Sequence, residues 1–237
     1  QETYPITLHA LWKKLGWDKA TILRMCNTLE RRGYIRKDPS TKQYSLGLKI
    51  FGLYESILKH IDVQQMAKQY LERISQETGE SAHLAFFIEK SAVFIDKVVG
   101  SKDPPINVQI GGREPLHCTA MGKAFLAFSE ILDLGQQLEI PLKKYTPQSI
   151  DSPEELKQEL EKIKSRSYAV DNEEYIAGVR CIAAPIFNHT GVPVAAIGIS
   201  APKERIPDTR IERYGTIIST TAAELSEKLG FSGRSNQ

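Results

Sequence analysis

"ITLHALWKKLGWDKATILRMCNTLERRGYIRKDPSTKQYSLG", residues 6–47, decides the fold of the first quarter of the chain. Leu8, Leu11 and Leu15 recur at helical spacing, and Gly16 follows where a left-handed helix cap places a glycine. Asp18 stands where a side-chain oxygen can take a free N–H of the next helix. Ile22, Met25, Cys26 and Leu29 then fall at i, i+3, i+4 and i+7, a single apolar stripe that turns Lys19, Thr21, Arg24, Asn27 and Thr28 largely outward. Gly33 closes this second helix. Residues 34–36 and 43–46 read as two strands around the polar, proline-containing turn "KDPSTK". Helix, tight turn, helix and hairpin is the plan of a winged helix-turn-helix.

The outward face of the second helix has the chemistry of a major-groove reader. Lys19 and Arg24 can meet phosphates or guanine edges, Asn27 can pair with adenine, and Thr21 and Thr28 lie beside them. Lys37 and Lys42 flank the wing tip, near the DNA backbone. Charge agrees: residues 1–60 carry a net +6, so the remainder carries −4 within an overall +2. A basic head on a mildly acidic body suggests that only the head meets a polyanion. On charge alone a solvated basic face fits equally, and a protein-binding winged helix is the competing use of the fold. Cys26, on the apolar stripe, reads as a small core hydrophobe. A winged helix ordinarily packs one further helix ahead of these two; only a few residues precede Ile6, so that helix is expected to be missing.

"LGLKIFGLYESILKHID", residues 46–62, spreads Leu48, Ile50, Phe51, Leu53, Tyr54, Ile57, Leu58 and Ile61 over more than one helical face. Such a helix needs burial from several directions. Residues 48–61 are therefore expected to form a linker and dimerisation helix that pairs two heads on a pseudo-palindromic site, after a DNA-binding domain over 1–47. Burial within one protomer is the alternative.

Residues 62–237 form the third division. "VQQMAKQYLERISQETG" is an amphipathic helix stopped by Gly79. "SAHLAFFIE" and "AVFIDKVVG" form a hairpin, and "INVQIGG" reads as a third strand ending in a glycine pair. "SPEELKQELEKIKSRSY" opens as a helix N-terminus and makes a surface helix. "VRCIAAPIFN" and "VPVAAIGISAP" are a second hairpin near the sheet centre, and a long helix runs from Pro207 to Gly230. The fold class is α+β: a winged head, a linker helix and an α/β sandwich.

Composition is that of a globular protein, 41% hydrophobic and 25% charged. With no apolar run of the roughly 18 residues that span a bilayer and no leader-like opening, no membrane association and a cytoplasmic location are expected. Three scattered cysteines without a CxxC pair disfavour a disulfide scaffold or zinc knuckle. No cofactor and no resident metal are expected.

"PLHCTAMGKAFLAF", residues 115–128, carries the remaining chemistry. A phosphate loop would need Gly at 117 and a hydroxyl at 124, where His117 and Ala124 stand. His117 and Cys118 are neighbours whose side chains diverge on an extended strand end, so neither activates the other and no enzyme is indicated. A zinc site from His117, Cys118, Asp171 or Cys181 lacks tight spacing. A third possibility is a seat for an anion. Thr119 can cap a helix over 120–128 whose first turn offers the N–H groups of Ala120, Met121 and Gly122 to a carboxylate. Lys123, at the fifth position, is expected to turn away to the surface.

Taken together, "DKATILRMCNTLERRGYI", "YSLGLKIFGL", "PLHCTAMGKAFLAF", "YAVDNEEYIAGVRCIAAPIFN" and "AAIGISAP", in this order, resemble the IclR family of bacterial transcriptional regulators. The resemblance covers nearly the whole chain. It implies a winged helix-turn-helix head that binds double-stranded operator DNA and a GAF/profilin-like effector domain. It also implies homodimers that pair into tetramers, and a small organic acid or related metabolite as ligand. Asp171 and Glu174 match the family's Asp-x-x-Glu segment, and residues 181–184 its Cys-Ile-Ala-Ala strand. A glycine usual four residues before that aspartate is Ser167 here, which affects a turn. By resemblance, the wall opposite Thr119, Ala120, Met121 and Gly122 comes from Asp171, Val179, Cys181, Gly198, Ile199 and Ser200. Asp171 would accept from a ligand hydroxyl, Ser200 would donate, Gly198 would widen the pocket, and Met121 and Ile199 would supply apolar contact suited to an aromatic or keto acid. Core packing is the alternative for Cys181 and Ile199. A small-molecule-binding or enzymatic body carrying a vestigial or protein-binding head is the rival reading of the whole.

Overall fold

The computed structural model describes residues 5–50, 62–102, 104–129 and 138–233. The chain separates into two units, residues 1–62 and 63–237. In the first, Thr7 caps helix α1 (Leu8–Leu15), its hydroxyl accepting the Ala10 N–H, and Gly16 ends the helix at φ 67°. Asp18 caps α2 (Lys19–Arg31) through the Thr21 N–H at 2.9 Å. Strands β1 (Ile35–Lys37) and β2 (Tyr44–Leu46) pair antiparallel as the wing, and Ile6 bridges the free side of Tyr44. At the wing turn, Asp38 Oδ1 gathers the Ser40 and Thr41 N–H groups and the Ser40 hydroxyl. These bonds hold the Asp38 carboxyl well below the usual range.

The core of the head is Ile22, Cys26 and Tyr44, backed by Ile6, Leu8, Leu11, Trp12 and Ile35. The apolar stripe of α2 is thus only half used. Met25 is 46% exposed and Leu29 42%. They line an apolar groove of about 220 Å³ with Leu11, Leu15 and Leu46, because no described residue packs over that side. The linker expected over 48–61 lies, from residue 51 onward, outside the described residues; Leu48 is exposed.

The second unit is a six-stranded, wholly antiparallel sheet between two pairs of helices. Its elements are α3 (Asp62–Thr78), β3 (Ser81–Ile88), β4 (Ser91–Val98), β5 (Arg113–Glu114), α4 (Ala120–Phe128), α5 (Pro153–Arg166), β6 (Ala169–Asn172), β7 (Val179–Phe187), β8 (Pro193–Pro202) and α6 (Asp208–Lys228). Strand order is β5-β4-β3-β8-β7-β6, so the apolar β7–β8 hairpin and β3 form the middle. Alternation sorts the side chains onto two faces. On one, Leu84, Ile182, Ala184, Ile186, Ile197 and Ile199 pack under α3 (Ala67, Leu71, Ile74) and α6 (Tyr214, Ile218, Ala222, Leu225). On the other, Ala85, Ala92, Phe94, Ala169, Ala183 and Ala196 pack under α4 and α5. The alanines let apolar α4 lie close to the sheet.

Two sequence expectations change here. "INVQIGG" is not a strand. Its alternation imitates one, but Lys97 Nζ holds the segment through Asn107 Oδ1 (2.6 Å) and the Val108 carbonyl (2.7 Å), Val108 packs into the α4-side core, and the glycine pair makes a turn. The ladder with β4 covers only Arg113 and Glu114, after Gly111 and Gly112 have exchanged backbone bonds with Phe94. Strand β6, four residues long, was not foreseen as a strand. Ser167 is the left-handed cap of α5 at φ 65°, the conformation that favours glycine there.

Candidate functional site

Helix α4 starts where a buried turn, residues 115–118, meets the sheet. Thr119 does two things: its hydroxyl donates to the Pro115 carbonyl (2.7 Å) and accepts from the Gly122 N–H (3.1 Å). The cap thereby consumes one of the three expected seat donors. Ala120 and Met121 keep N–H groups that no described residue accepts from, at the positive end of the helix. Gly122 serves packing rather than ligand access. A Cβ there would stand 2.3 Å from Leu116 Cα and 2.5 Å from its carbonyl oxygen, so the bare backbone lets the turn fold against the helix.

Lys123 overturns the surface expectation. It is fully buried, donating to the Val170 carbonyl (2.7 Å) and to Glu174 Oε1. Helix α4 is covered on several sides, so its fourth residue looks toward β6, and a carbonyl and a carboxylate replace water. The same Glu174 donates its N–H to Asp171 Oδ1 (2.7 Å), and its carbonyl takes the hydroxyls of Thr146 and Ser149. The turn after β6 is thus tied to α4, to Asp171 and to the 146–149 segment.

Register assembles the opposing wall. Ser81 faces Ser200, Ser200 faces Cys181, and Cys181 faces Asp171, forming one polar row across β3, β8, β7 and β6 on the α4 face. The next row inward is His83, Gly198, Ala183 and Ala169. Val179 shares the face at the outer end of β7. Met121 packs further along, with Ala85, Ala92, Ala196 and Phe125. Ile199 alone of the wall residues is misplaced: it points to the opposite face, in the α3–α6 core. Strand alternation carries this already, since Gly198 and Ser200 cannot share a face with the residue between them. Gly198 does not open space either; a Cβ there would lie 2.2 Å from the Ile182 carbonyl.

Burial raises the carboxyls of the site above their ordinary range. Burial, then the charge of Glu174, raises Asp171 to about 7. Burial, then Asp171, raises Glu114 to about 8. Burial pushes up the thiols of Cys118 and Cys181, with Asp171 adding to both. His117 Nε2 lies 2.9 Å from the Lys143 carbonyl, and burial lowers its pKa. Among the described residues no three His, Cys, Asp or Glu side chains are grouped to hold a metal ion. Glu114 and His83 escaped sequence reading. Glu114 follows a glycine pair and precedes a proline, like a loop carboxylate, and His83 sits in an otherwise apolar strand. The alternation of "SAHLA" was the available signal, because it puts Ser81 and His83 on one face.

In the head, Lys19, Arg24, Asn27, Thr28 and Lys42 are exposed, and Thr21 and Lys37 are partly so. All but the two wing lysines lie on α2. Lys19 Nζ rests 4.4 Å from the Trp12 ring centre, Lys37 Nζ 5.4 Å from that of Tyr44, and the Thr28 hydroxyl donates to the Arg24 carbonyl.

Both halves of the chain match domains of bacterial transcription regulators. The IclR helix-turn-helix domain matches residues 1–39, and the bacterial transcriptional regulator IclR C-terminal domain matches residues 55–227. The chain is 32% identical over 231 residues to the HTH-type transcriptional regulator KdgR of Escherichia coli, covering 97% of this chain and 88% of that one. It is 30% identical to the Escherichia coli transcriptional repressor IclR, over 95% and 83% of the two chains. The crystal structure of the Thermotoga maritima IclR superposes with a TM-score of 0.70 at 34% identity, over 98% and 94% of the chains. This protein therefore belongs to the IclR family of bacterial transcriptional regulators, with a DNA-binding head and an α+β effector domain. Among the described residues no helix is long and apolar enough to cross a membrane.

Proposed function

We propose that this regulator binds double-stranded operator DNA through Lys19, Thr21, Arg24, Asn27 and Thr28 of α2 and through Lys37 and Lys42 of the wing, and that it senses a small organic acid at the start of α4. The observation that carries the second half is the pair of uncommitted N–H groups at Ala120 and Met121, opposite the row of Ser200, Cys181 and Asp171. Two oriented N–H groups and a helix dipole bind a carboxylate without a cation in contact. Lys123 is not available for that purpose, because Glu174 holds it. An IclR homolog of 20% identity was solved with 4-hydroxybenzoate; that likeness carries the fold, and the ligand is that protein's.

Regulation rather than catalysis fits the chemistry of the seat. Cys118 is a thiol held protonated by burial, and His117 is engaged with a backbone carbonyl, so a nucleophile with its base is not assembled. Occupation of the seat would bear on the turn after β6, since Asp171 holds the Glu174 N–H and Glu174 holds Lys123. A coupling of about 1–3 kcal/mol, roughly 5–150-fold in DNA affinity, is the useful range. We also place the protein in the cytoplasm as a homodimer or tetramer pairing its heads through residues 48–61.

The test is a double dissociation. Arg24→Ala should weaken retention on duplex DNA at low salt and leave an acid-induced rise in melting temperature unchanged. Ala120→Pro should do the reverse, because proline at the first helical position keeps the helix and deletes one seat N–H. If Ala120→Pro kept the full acid response, the seat would be elsewhere.

A further inference from the structure

We propose that His83 is an effector-contacting residue, and that the effector is a monocarboxylic acid bearing hydroxyl groups along its chain. The inference rests on the α4 seat and extends it along the sheet.

His83 is 1% exposed, and neither ring nitrogen has a hydrogen-bond partner. Polar side chains buried this deeply are almost always satisfied, so an orphaned imidazole calls for a partner from outside the chain. Its neighbours do not supply one. Lys97, directly across on β4, spends its ammonium on Asn107 and Val108. Gly198, across on β8, has no side chain, and Phe94 presents a ring at 5.6 Å between centres, edge to face. Ser81, two residues back, has its hydroxyl engaged by the Gly100 N–H. The ring lies on the α4 face, between the polar row of Ser200, Cys181 and Asp171 and the apolar end where Met121 packs. It therefore looks into the layer where an acid seated on Ala120 and Met121 would extend.

The chemistry of that partner follows from the ring's state. Burial and the charge of Lys97 hold the His83 pKa down to about 4, so near neutral pH the ring is uncharged, with one N–H donor and one bare nitrogen. One hydroxyl can accept from the N–H and a second donate to the bare nitrogen, so a chain carrying several hydroxyls satisfies both. A second carboxylate would satisfy only the N–H. Ser200 and Asp171, one row away, repeat the preference, each able to donate and accept while Asp171 holds its proton. Adjacent rows on one face are about 7 Å apart, the span of a chain of five or six carbons. The apolar contact expected of Ile199 is absent from this face, which removes the main reason for an aromatic ligand.

The experiment uses the full chain and two six-carbon acids of equal charge, D-gluconate and hexanoate, titrated calorimetrically. Wild type should bind gluconate at least tenfold more tightly than hexanoate. His83→Phe should lose tenfold or more of the gluconate affinity, keep the hexanoate affinity within threefold, and melt no lower than wild type, since it removes an unsatisfied group. His83→Gln, which retains a donor and an acceptor, should recover most of the gluconate affinity. Equal binding of the two acids, or unchanged gluconate binding by His83→Phe, would overturn the proposal and leave the α4 seat standing. A His83→Phe chain that does not fold would place the ring's partners within the protein and overturn it equally. Binding of neither acid would remove the seat itself, and this inference with it.

Discussion

Asp171→Asn should change how stability depends on pH, with a sign opposite to that of an ordinary surface carboxylate. The folded chain holds Asp171 at about 7 against an ordinary 3.8, because burial and then Glu174 disfavour its charge. A raised carboxyl contributes its stability in full below pH 3.8 and loses it as pH rises through 7, since the folded state binds the proton the unfolded state has released. Between pH 5 and pH 8 these two values imply a loss of about 2–3 kcal/mol from this one group. Asparagine keeps an oxygen for the Glu174 N–H, which Asp171 Oδ1 accepts at 2.7 Å, and has nothing to ionise. Urea unfolding of wild type and Asp171→Asn at pH 5, 6, 7 and 8 reads the difference directly. The gap between the two curves should shift in favour of the variant by about 2–3 kcal/mol from pH 5 to pH 8, most of it before pH 7.5. Parallel curves would show that Asp171 is ionised throughout, and would refute the picture of a wall that carries its proton.

Three further changes test the packing around the seat. Lys123→Met leaves Glu174 buried without its cation and should cost about 3–5 kcal/mol in urea unfolding at pH 7. Adding Glu174→Gln should recover a large part of that loss, whereas a solvated lysine would show almost none. Gly122→Ala drives a Cβ to 2.3 Å from Leu116 Cα, between two backbone segments that cannot both yield. A loss of about 1–3 kcal/mol is expected, and a melting temperature within a degree of wild type would contradict the close approach. Ser167→Gly should stabilise by about 0.5–1 kcal/mol, because the residue is left-handed at φ 65°. No gain in melting temperature would mean that the cap bears no strain.

Where sequence succeeded, a local signal and the tertiary outcome agreed. Asp18, Thr119 and Ser152 each stand at the head of a helix and each accepts the N–H three residues on. The β7–β8 hairpin is apolar on both faces because it is covered by helices on both. Failures came where one pattern has two physical causes. The alternation of "INVQIGG" marks a segment whose Val108 reaches a core and whose backbone is held by Lys97 and, at the glycine pair alone, by Phe94, which period two does not distinguish from a strand. The glycine of "MGK" allows an approach, but sequence does not say whether ligand or chain approaches; here Leu116 does. A lysine's charge alone predicts solvation, but α4 is covered so far round that Ala120, Met121, Ala124, Leu126 and Ala127 are buried with it.

That misreading of Lys123 bears on how an acid can be held here at all. A carboxylate beside Asp171, Glu114 and Glu174 would ordinarily meet three like charges. The Lys123 ammonium offsets part of this, favouring charge on Glu174 and Asp171, but its hydrogen bonds go to Glu174 and the Val170 carbonyl. Tolerance of an anion then depends on how far Asp171 and Glu114 keep their protons toward neutral pH; burial raises both, with Glu174 adding to Asp171 and Asp171 adding to Glu114. In that state the wall offers hydroxyl-like donors at Asp171, Glu114 and Ser200, facing the positive potential of the α4 N-terminus. The site that results attracts one negative group at one place and rewards neutral oxygens everywhere else. Binding should then weaken as pH rises through about 7 and 8, as Asp171 and then Glu114 ionise, and its strength at lower pH should follow the number of hydroxyls on the acid rather than its charge.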